Sequence, residues 1–273
     1  MANFGQHFLV NQSVIKKIAE TLALQKGDTV IEIGAGHGEL SSELVNWLIG
    51  ENSDGKLILI EKDDALAEIL RKNYGEDKKI EIINGDVLKI LPELIHQLTN
   101  QQINYKLAGN IPYYITGKLL RLISELENKP SRCVFTLQKE VAERLAEKPP
   151  RMNRLAASVQ FWAKPEIIEY VSRNDFKPAP EVDSAIVKLV SGIRYQVTGN
   201  ITPEQYYRAV RMLFQQPRKT ILNNLADGAP KKPKNLIAQE LEKIGINPAD
   251  RPQNLSIEDI IAISRIVQHY DAS

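Results

Sequence analysis

A strand, a glycine-rich turn and a helix follow one another between Thr29 and Leu48. The run Thr29-Val-Ile-Glu-Ile33 is almost entirely apolar or β-branched, which predicts a strand covered on both faces. The turn Gly34-Ala-Gly-His-Gly38 follows, and apolar residues then recur with helical spacing from Glu39 to Leu48. This order is the first half of a nucleotide-type βαβ unit, which requires a parallel sheet with helices on its faces.

The same alternation continues along the chain. Further strands are predicted at Leu57–Ile60, Ile80–Ile83, Tyr105–Ala108 and Arg132–Leu137, with helices over 12–23, 63–72, 115–126 and 141–146. Two later runs, Ala157–Trp162 and Ala185–Val190, are predicted to be strands that pair antiparallel at one edge. The pattern predicts an α/β fold with a doubly wound, mostly parallel, Rossmann-like sheet.

The strand pattern stops between Ser191 and Pro203, and the residues beyond it have only helical periodicity. We therefore predict a sheet domain over 1–192 and a small all-helical domain over 193–273. Thr202 is predicted to cap a helix that begins at Pro203, and Ser256 to cap the last helix. Pro217 is expected to break the first of these helices, because the residue before a proline is disfavoured in the α conformation.

The composition is that of a globular protein, with 43% hydrophobic and 25% charged residues. No apolar run approaches the length that spans a bilayer, and the first residues do not resemble a signal peptide, so we expect a cytoplasmic protein with no membrane partner. One cysteine, Cys133, and four scattered histidines lack the ligand spacing of a zinc site. No metal is therefore predicted.

The glycine turn favours S-adenosylmethionine over a dinucleotide. A dinucleotide-binding turn has the pattern G-x-G-x-x-G, whereas here the third glycine, Gly38, comes one position early. S-adenosylmethionine carries positive charge and no phosphate, so the carboxylate of Glu32 before the turn favours it. A glycine-rich turn without a ligand is the alternative interpretation of these residues.

Polar residues follow the next three predicted strands. Glu61 follows the second strand, Asp86 the third and Asn110 the fourth. The carboxyl ends of parallel strands lie at one edge of a sheet, so these side chains are predicted to join Gly34 in one pocket. Glu61 is expected to accept hydrogen bonds from ribose hydroxyls, and Asp86 from the amino group of the cofactor's adenine. Each carboxylate alone would also suit a solvated surface.

The string Asn110-Ile-Pro-Tyr113 suits an exocyclic amino group on a planar base. The side-chain oxygen of Asn110 and the carbonyl of Ile111 could each accept one amino hydrogen and so localise the nitrogen lone pair. Pro112 fixes its own φ near about −65°, and Tyr113 would stack on the base. The same string could instead serve only to shape a turn.

Five segments together resemble the KsgA family, the small-subunit ribosomal RNA adenine N6,N6-dimethyltransferases. They are Gly5–Leu9, Ile31–Gly36, Asn110–Tyr113, Leu137–Val141 and Phe176–Ser184. The resemblance implies a class I S-adenosylmethionine-dependent methyltransferase fold. It also implies transfer of four methyl groups to two adjacent adenines near the 3′ end of 16S RNA, in a pre-ribosomal particle. We expect a monomer.

The resemblance further assigns individual residues. His7 and Leu9 would close over the methionine end of the cofactor, and Phe176 would stack on the target adenine opposite Tyr113. The remaining cofactor-binding residues that it implies are Gly34, Gly36, Glu61, Asp86 and Asn110.

A basic stretch, residues 204–234, has seven basic and two acidic residues. It predicts a phosphate-binding face that includes Arg208, Arg211, Arg218 and Lys219, although an ordinary solvated surface has the same composition. Arg218 and Lys219 are predicted in the first turn of a helix, where the helix dipole disfavours cations. A bound phosphate would resolve that conflict.

The chain departs from the family pattern in two places. Only Met1–Phe4 precedes the first motif, where the family has a basic arm, and Gln216-Pro-Arg-Lys-Thr220 replaces a paired-arginine string. Two alternatives stay open: a large-subunit RNA adenine methyltransferase of the macrolide-resistance type, and a non-catalytic nucleic-acid-binding factor. The Phe176–Ser184 segment and the helical tail disfavour the first, and the Asn110–Tyr113 string disfavours the second.

Overall fold

The computed structural model describes residues 6–48, 54–192 and 201–270. The chain divides into two compact units, Met1–Glu143 with Lys164–Ser191 (the sheet unit) and Arg144–Ala163 with Gly192–Ser273 (the helical unit). This division differs from the predicted domains in one segment, because residues 144–163 are part of the helical unit. The short arm Met1–Phe4 and residues 193–200 of the predicted boundary lie outside the described residues.

Five of the described strands, those between residues 29 and 138, agree closely with the sequence periodicity, whereas the first, at residues 8 and 9, was not predicted. The described strands are β1 Phe8–Leu9, β2 Thr29–Ile33, β3 Lys56–Glu61, β4 Ile80–Asn84, β5 Tyr105–Asn110, β6 Arg132–Gln138, β7 Ala163–Val171, β8 Phe176–Lys177 and β9 Ser184–Ser191. Among these residues one sheet has the strand order β4-β3-β2-β5-β6-β9-β7, and β1 pairs separately with β8. The predicted α/β fold with a mostly parallel sheet is confirmed.

Helices connect the parallel strands. In the first part of the chain they are α1 Gln12–Leu22, α2 Glu39–Leu48, α3 Asp64–Tyr74, α4 Val87–Asn100, α5 Thr116–Glu125 and α6 Lys139–Ala146. The sequence analysis did not predict α4. Its first turn follows Asp86, whose side chain accepts a hydrogen bond from the Leu88 amide and so acts as the N-cap.

The strand order reverses between β2 and β5. From β2 the chain proceeds to β3 and β4 on one side, and it then returns to β5, which pairs parallel with β2 on the other side. Such a switch point leaves a crevice outside the carboxyl ends of the two central strands. Gly34 and Asn110 occupy those ends.

The predicted strand at Ala157–Trp162 is wrong. Residues Arg154–Gln160 form helix α7, which Asn153 caps by accepting a hydrogen bond from the Ala156 amide at 3.0 Å. A short apolar run fits a buried helix as well as a buried strand, so its periodicity could not decide between them. Strand β6 pairs antiparallel with β9, and the pairing extends to Arg132, which lies opposite Val190.

The helical unit has its own apolar core. Beyond residue 200 its described helices are Pro203–Leu213, Ile221–Gly228, Lys234–Lys243 and Ile257–Val267. Phe161 stacks on Tyr206 with ring centroids 3.8 Å apart, and the Tyr206 hydroxyl donates to the Ala157 carbonyl at 2.9 Å. These contacts explain why the segment around α7 belongs to this unit.

The predicted helix caps are confirmed. Thr202 forms a capping box with Gln205, and Ser256 forms one with Asp259. The helix that begins at Pro203 ends at Leu213, before Pro217. Within the described residues, no helix has both the length and the apolar character that crossing a membrane requires.

Candidate functional site

A cleft opens where β2, β3, β4 and β5 end, and we call it the strand-end cleft. Its empty space is about 880 Å³, part of which is open to solvent. Most of the predicted catalytic and cofactor-binding residues line it: His7, Gly34, Gly36, Glu61, Asp86, Asn110, Ile111, Pro112 and Tyr113. The parallel sheet thus brings together residues that are far apart in sequence.

The glycine turn is held by the end of the neighbouring strand. Glu61 Oε2 accepts a hydrogen bond from the Gly36 amide at 2.9 Å, and Oε1 accepts from the amides of Lys62 and Asp63. Glu61 is 4% exposed. A carboxylate has about four acceptor positions, so three backbone bonds leave room for one further donor. The predicted ribose contact therefore shares this carboxylate with the glycine turn.

Gly36 itself cannot be replaced without strain. Its φ is +61°, in the left-handed region that favours glycine, and a Cβ atom would come within 3.1 Å of the Phe8 ring. The Phe8 ring also packs edge-on against His37. Strand β1 thus lies directly against the glycine turn.

Asp86 has two structural partners. Its Oδ1 atom accepts from the Leu88 amide at 3.0 Å, and its Oδ2 atom accepts from Lys62 Nζ at 3.1 Å. Partial burial by itself raises the pKa of Asp86, but the hydrogen bonds from Lys62 and Leu88 and the nearby lysine charges outweigh it and lower the pKa. The group is therefore an ionised acceptor on the cleft wall.

Glu32 lies beneath the glycine turn and is buried. Burial raises the pKa of Glu32 to about 8, against the hydrogen bond that Ser41 Oγ donates at 2.7 Å. The charges of Glu39 and Glu61 raise it further. Burial thus favours the protonated form of this side chain, whereas the sequence suggested an ionised carboxylate.

Asn110 ends β5 with its amide group in a defined orientation. Its Nδ2 atom donates to the carbonyl of His7 at 2.7 Å. Because the nitrogen is used in this bond, the side-chain oxygen is the group that can accept from a ligand. The Ile111 amide donates to the Thr136 carbonyl of β6 at 3.2 Å, which fixes the peptide that follows.

The turn after Asn110 holds an aromatic ring at the cleft. Pro112 has φ −55° and begins a 3₁₀ turn, Tyr113–Ile115. The Tyr113 hydroxyl lies 2.9 Å from Ser184 Oγ, and its ring lies 6.1 Å from the His7 ring with an interplanar angle of 27°. Burial raises the pKa of Tyr113 despite the Ser184 contact, so the hydroxyl stays neutral.

Two predicted site residues lie elsewhere. Phe176 is 2% exposed and packs in the apolar core with Val14 and Ile18. Leu9, its partner in the β1–β8 pairing, belongs to the same core and lines a neighbouring cavity of about 350 Å³ beside the glycine turn. The stacking position expected for Phe176 is therefore corrected, because a buried ring has no free face for a base.

The strand-end cleft is also lined by residues that the sequence analysis did not place there, and Phe8, Lys62 and Tyr114 are the aromatic and charged ones among them. Lys62 directly follows Glu61, and Tyr114 directly follows Tyr113, so adjacency to a predicted residue was the available signal. The sequence around Lys62 and Tyr114 contains no motif that by itself marks either residue as part of a site.

The four predicted RNA-binding residues all lie in the helical unit. Arg208 and Arg211 are on the helix Pro203–Leu213, and Arg218 and Lys219 are exposed. The expectation that these last two residues occupy a first helical turn is wrong, because the next helix begins at Ile221, after its cap Thr220. Lys219 pairs with Asp227 at 2.9 Å.

Comparisons with known proteins agree on one family. The profile described as "Ribosomal RNA adenine dimethylase" matches residues 2–269. The chain is 38% identical over 255 residues to ribosomal RNA small subunit methyltransferase A of Dehalococcoides mccartyi, covering 93% of this chain and 84% of that protein. It is 34% identical over 268 residues to the protein of the same name from Streptococcus thermophilus, covering 96% and 90%.

Two solved structures are similar over almost the whole chain. A dimethyladenosine transferase from Plasmodium falciparum has a TM-score of 0.77 at 24% identity, covering 97% of this chain and 98% of that one. The 23S rRNA methyltransferase ErmE has a TM-score of 0.71 at 26% identity, covering 96% and 99%. At 24% identity the first likeness shows the fold alone.

Proposed function

This chain belongs to the ribosomal RNA adenine dimethylase family, and we propose that it modifies two adjacent adenines near the 3′ end of 16S RNA. The chain is an rRNA adenine dimethyltransferase that depends on S-adenosylmethionine. We propose further that it acts as a monomer in the cytoplasm, on RNA within a pre-ribosomal particle. The position of Asn110-Ile-Pro-Tyr113 at the switch point of the sheet carries this proposal.

The strand-end cleft fits the methyl donor. Its polar groups include the acidic Glu61 and Asp86, and its glycine turn is tied to Glu61. These carboxylate acceptors suit a ligand with ribose hydroxyls, an amino group and positive charge. When bound, S-adenosylmethionine supplies an electrophilic methyl group. In our proposal Gly34, Gly36, Glu61 and Asp86 hold it, together with His7.

The residues at the end of β5 then prepare the acceptor. The N6 nitrogen of adenine is a poor nucleophile, because its lone pair is delocalised into the ring. In this proposal, the Asn110 side-chain oxygen and the Ile111 carbonyl each accept one amino hydrogen, which localises the lone pair on nitrogen. The Asn110–His7 bond supports this role, because it leaves the amide oxygen as the available acceptor.

Tyr113 orients the base in the same proposal. A base stack on one aromatic ring is worth about 1–3 kcal/mol. The Ser184 contact limits rotation of the Tyr113 side chain and so keeps its ring at the cleft. A ring held in advance loses less conformational entropy when the base binds.

The curated relatives at 34–38% identity bear a small-subunit name, which supports the small subunit over the large one as the substrate. Because the chain is also similar to ErmE, a 23S rRNA methyltransferase, large-subunit RNA is the second substrate to be tested. The Asn110–Tyr113 string supports catalysis over binding alone, because a non-catalytic factor does not require acceptors for an amino group.

The test is methylation of purified ribosomal particles. The protein is incubated with labelled S-adenosylmethionine and, in separate reactions, with small-subunit and large-subunit particles from cells that lack the enzyme, and primer extension then locates the modified bases. We expect two adjacent reverse-transcription stops near the 3′ end of 16S RNA, and N6,N6-dimethyladenosine in the digested RNA. Transfer to large-subunit RNA alone would support the macrolide-resistance alternative. No transfer to either RNA would contradict the proposal.

A further inference from the structure

Tyr114, a second tyrosine, lies on the rim of the strand-end cleft. It lines the cleft together with Tyr113, yet it is 58% exposed. Large aromatic side chains are usually well buried, because their apolar area is large. A rim tyrosine beside a site for a planar base is therefore a candidate contact for RNA.

The backbone of the turn separates the two rings. The Ile115 amide donates to the Pro112 carbonyl at 3.1 Å, and Thr116 Oγ1 donates to the same oxygen at 3.4 Å. These bonds fix the 3₁₀ turn, in which successive side chains point about 120° apart. Tyr113 and Tyr114 therefore cannot contact the same face of one base.

The two side chains also differ in their surroundings. Tyr113 is partly buried, and its hydroxyl contacts Ser184. Tyr114 exposes most of its surface and lies in the same 3₁₀ turn as Tyr113. Tyr113 is thus placed to contact a base inside the cleft, and Tyr114 is placed to contact a base outside it.

We propose that Tyr114 stacks on the nucleotide next to the target adenine. The inference rests on the function proposed above. A base that is extracted for chemistry leaves its neighbour without a stacking partner, and an aromatic side chain can replace that partner for any base. Because stacking does not depend on base identity, the same ring can contact whichever nucleotide lies beside the pocket in each of the two transfers. Tyr114 is then a positioning residue for both transfers.

The ring of Tyr114, rather than its hydroxyl, carries this role. Stacking needs only the flat ring, which phenylalanine shares. Lys62 on the same cleft wall pairs with Asp86 at 3.1 Å, and its interaction with Tyr114 is the weaker one. Tyr114→Phe should therefore behave like the parent. Tyr114→Leu keeps an apolar side chain but removes the flat face, so it should resemble Tyr114→Ala.

The chain offers a matched control in Tyr170. It is 54% exposed on β7 in the same unit, and it is not among the residues that line the strand-end cleft. Tyr170→Ala removes the same side chain from a comparable surface. A change common to both alanine variants would therefore not report on the cleft.

The experiment measures steady-state methylation of small-subunit particles from cells that lack the enzyme. In Tyr114→Ala and Tyr114→Leu, we expect KM for the particle to rise by roughly 5- to 160-fold, the equivalent of one base–aromatic stack. Turnover at saturating particle should stay close to that of the parent. Tyr114→Phe and Tyr170→Ala should match the parent, and calorimetry should give all five proteins the same Kd for S-adenosylmethionine.

Several results would overturn the inference. A parent-like KM in Tyr114→Ala would show that Tyr114 does not stack on the RNA. A rise in KM in Tyr114→Phe equal to that in Tyr114→Ala would show that the hydroxyl makes the contact. Weaker S-adenosylmethionine binding in Tyr114→Ala would make the ring a cover for the cofactor. If the parent itself does not methylate the particle, the proposed function fails and this inference fails with it. If the parent does, a parent-like Tyr114→Ala rejects only the inference.

Discussion

Glu61 Oε2 accepts a hydrogen bond from the Gly36 amide at 2.9 Å, so the end of β3 holds the glycine turn that follows β2. Two more backbone amides, those of Lys62 and Asp63, bond to the other carboxylate oxygen. The carboxylate is nearly inaccessible to bulk water. Its loss would leave three amides without this acceptor, which affects both the fold and the cleft.

Glu61→Ala should lower the free energy of unfolding by about 2–4 kcal/mol, because hydrogen bonds to a charged acceptor are lost. It should also weaken S-adenosylmethionine binding by about 1–3 kcal/mol. Urea unfolding and calorimetry measure the two effects. The control is Glu68→Ala on α3, whose side chain is 74% exposed and whose ion pair is worth about 0–1 kcal/mol. An unchanged Kd in Glu61→Ala would exclude a ribose contact.

Asn110→Ala should lower the methyl-transfer rate by roughly 10²–10³-fold, the cost of removing one group that positions charge in a transition state. Cofactor binding should stay largely intact. Single-turnover transfer of labelled methyl groups to saturating particles measures the rate. Near-normal transfer by this variant would contradict the role given to the Asn110 side-chain oxygen.

Glu32 should make stability depend on pH. Its pKa is raised from an ordinary 4.5 to about 8, so between these values the folded protein binds a proton that the unfolded chain releases. The free energy of unfolding should therefore fall as pH rises from about 4.5 to 8, by at most about 1.4 kcal/mol per pH unit. Above pH 8 this dependence should stop.

Glu32→Gln should abolish that dependence, because the amide does not titrate. Denaturant unfolding from pH 5 to 9 compares it with the parent and with Glu20→Gln, an exposed substitution on α1. Identical pH profiles for the parent and Glu32→Gln would mean that Glu32 is ionised in the folded protein. Glu20→Gln should follow the parent.

Replacing Arg218 and Lys219 together with alanine should weaken binding to small-subunit particles. The slope of log affinity against log salt concentration should become shallower by roughly one to two units, because each neutralised phosphate contributes slightly less than one. Binding of S-adenosylmethionine should not change. The Lys219–Asp227 pair is exposed, so its loss should cost the fold little.

The charge-matched control for that double variant is Lys243→Ala with Arg265→Ala, two exposed residues on other helices of the same unit. If both double variants have the parent's salt slope, Arg218 and Lys219 are an ordinary solvated surface. The RNA contact should then be sought either on Lys118 and Arg121 of the sheet unit or on Arg151 and Arg154 of the helical unit.

Local sequence patterns were sufficient to predict most of the helices and strands. Thr29–Ile33 and Glu39–Leu48 have the predicted bounds, and Thr202 and Ser256 cap their helices as predicted. Strand periodicity, helix periodicity and capping involve residues that are close in sequence. The run Ala157–Trp162 failed because its apolar residues suit either element, and packing on Tyr206 in the helical unit favours the helix.

The strand-end cleft was predictable for a related reason. Once parallel strands are recognised, the residues after each strand must lie at one edge, so Gly34, Glu61, Asp86 and Asn110 could be grouped from sequence alone. Their hydrogen-bond partners could not be predicted. The Glu61–Gly36 bond and the Asn110–His7 bond join separate strands and loops whose spacing is set by the whole sheet.

The sequence by itself determined the α/β class, the strand ends that form the cleft, and the family to which the chain belongs. Only the tertiary structure decided which aromatic rings face the cleft. The pairing of β1 with β8 places Leu9 opposite Phe176 and buries both in the core, while the turn after Pro112 leaves Tyr114 exposed. Exposure depends on contacts between distant segments, and a local motif contains no information about those contacts.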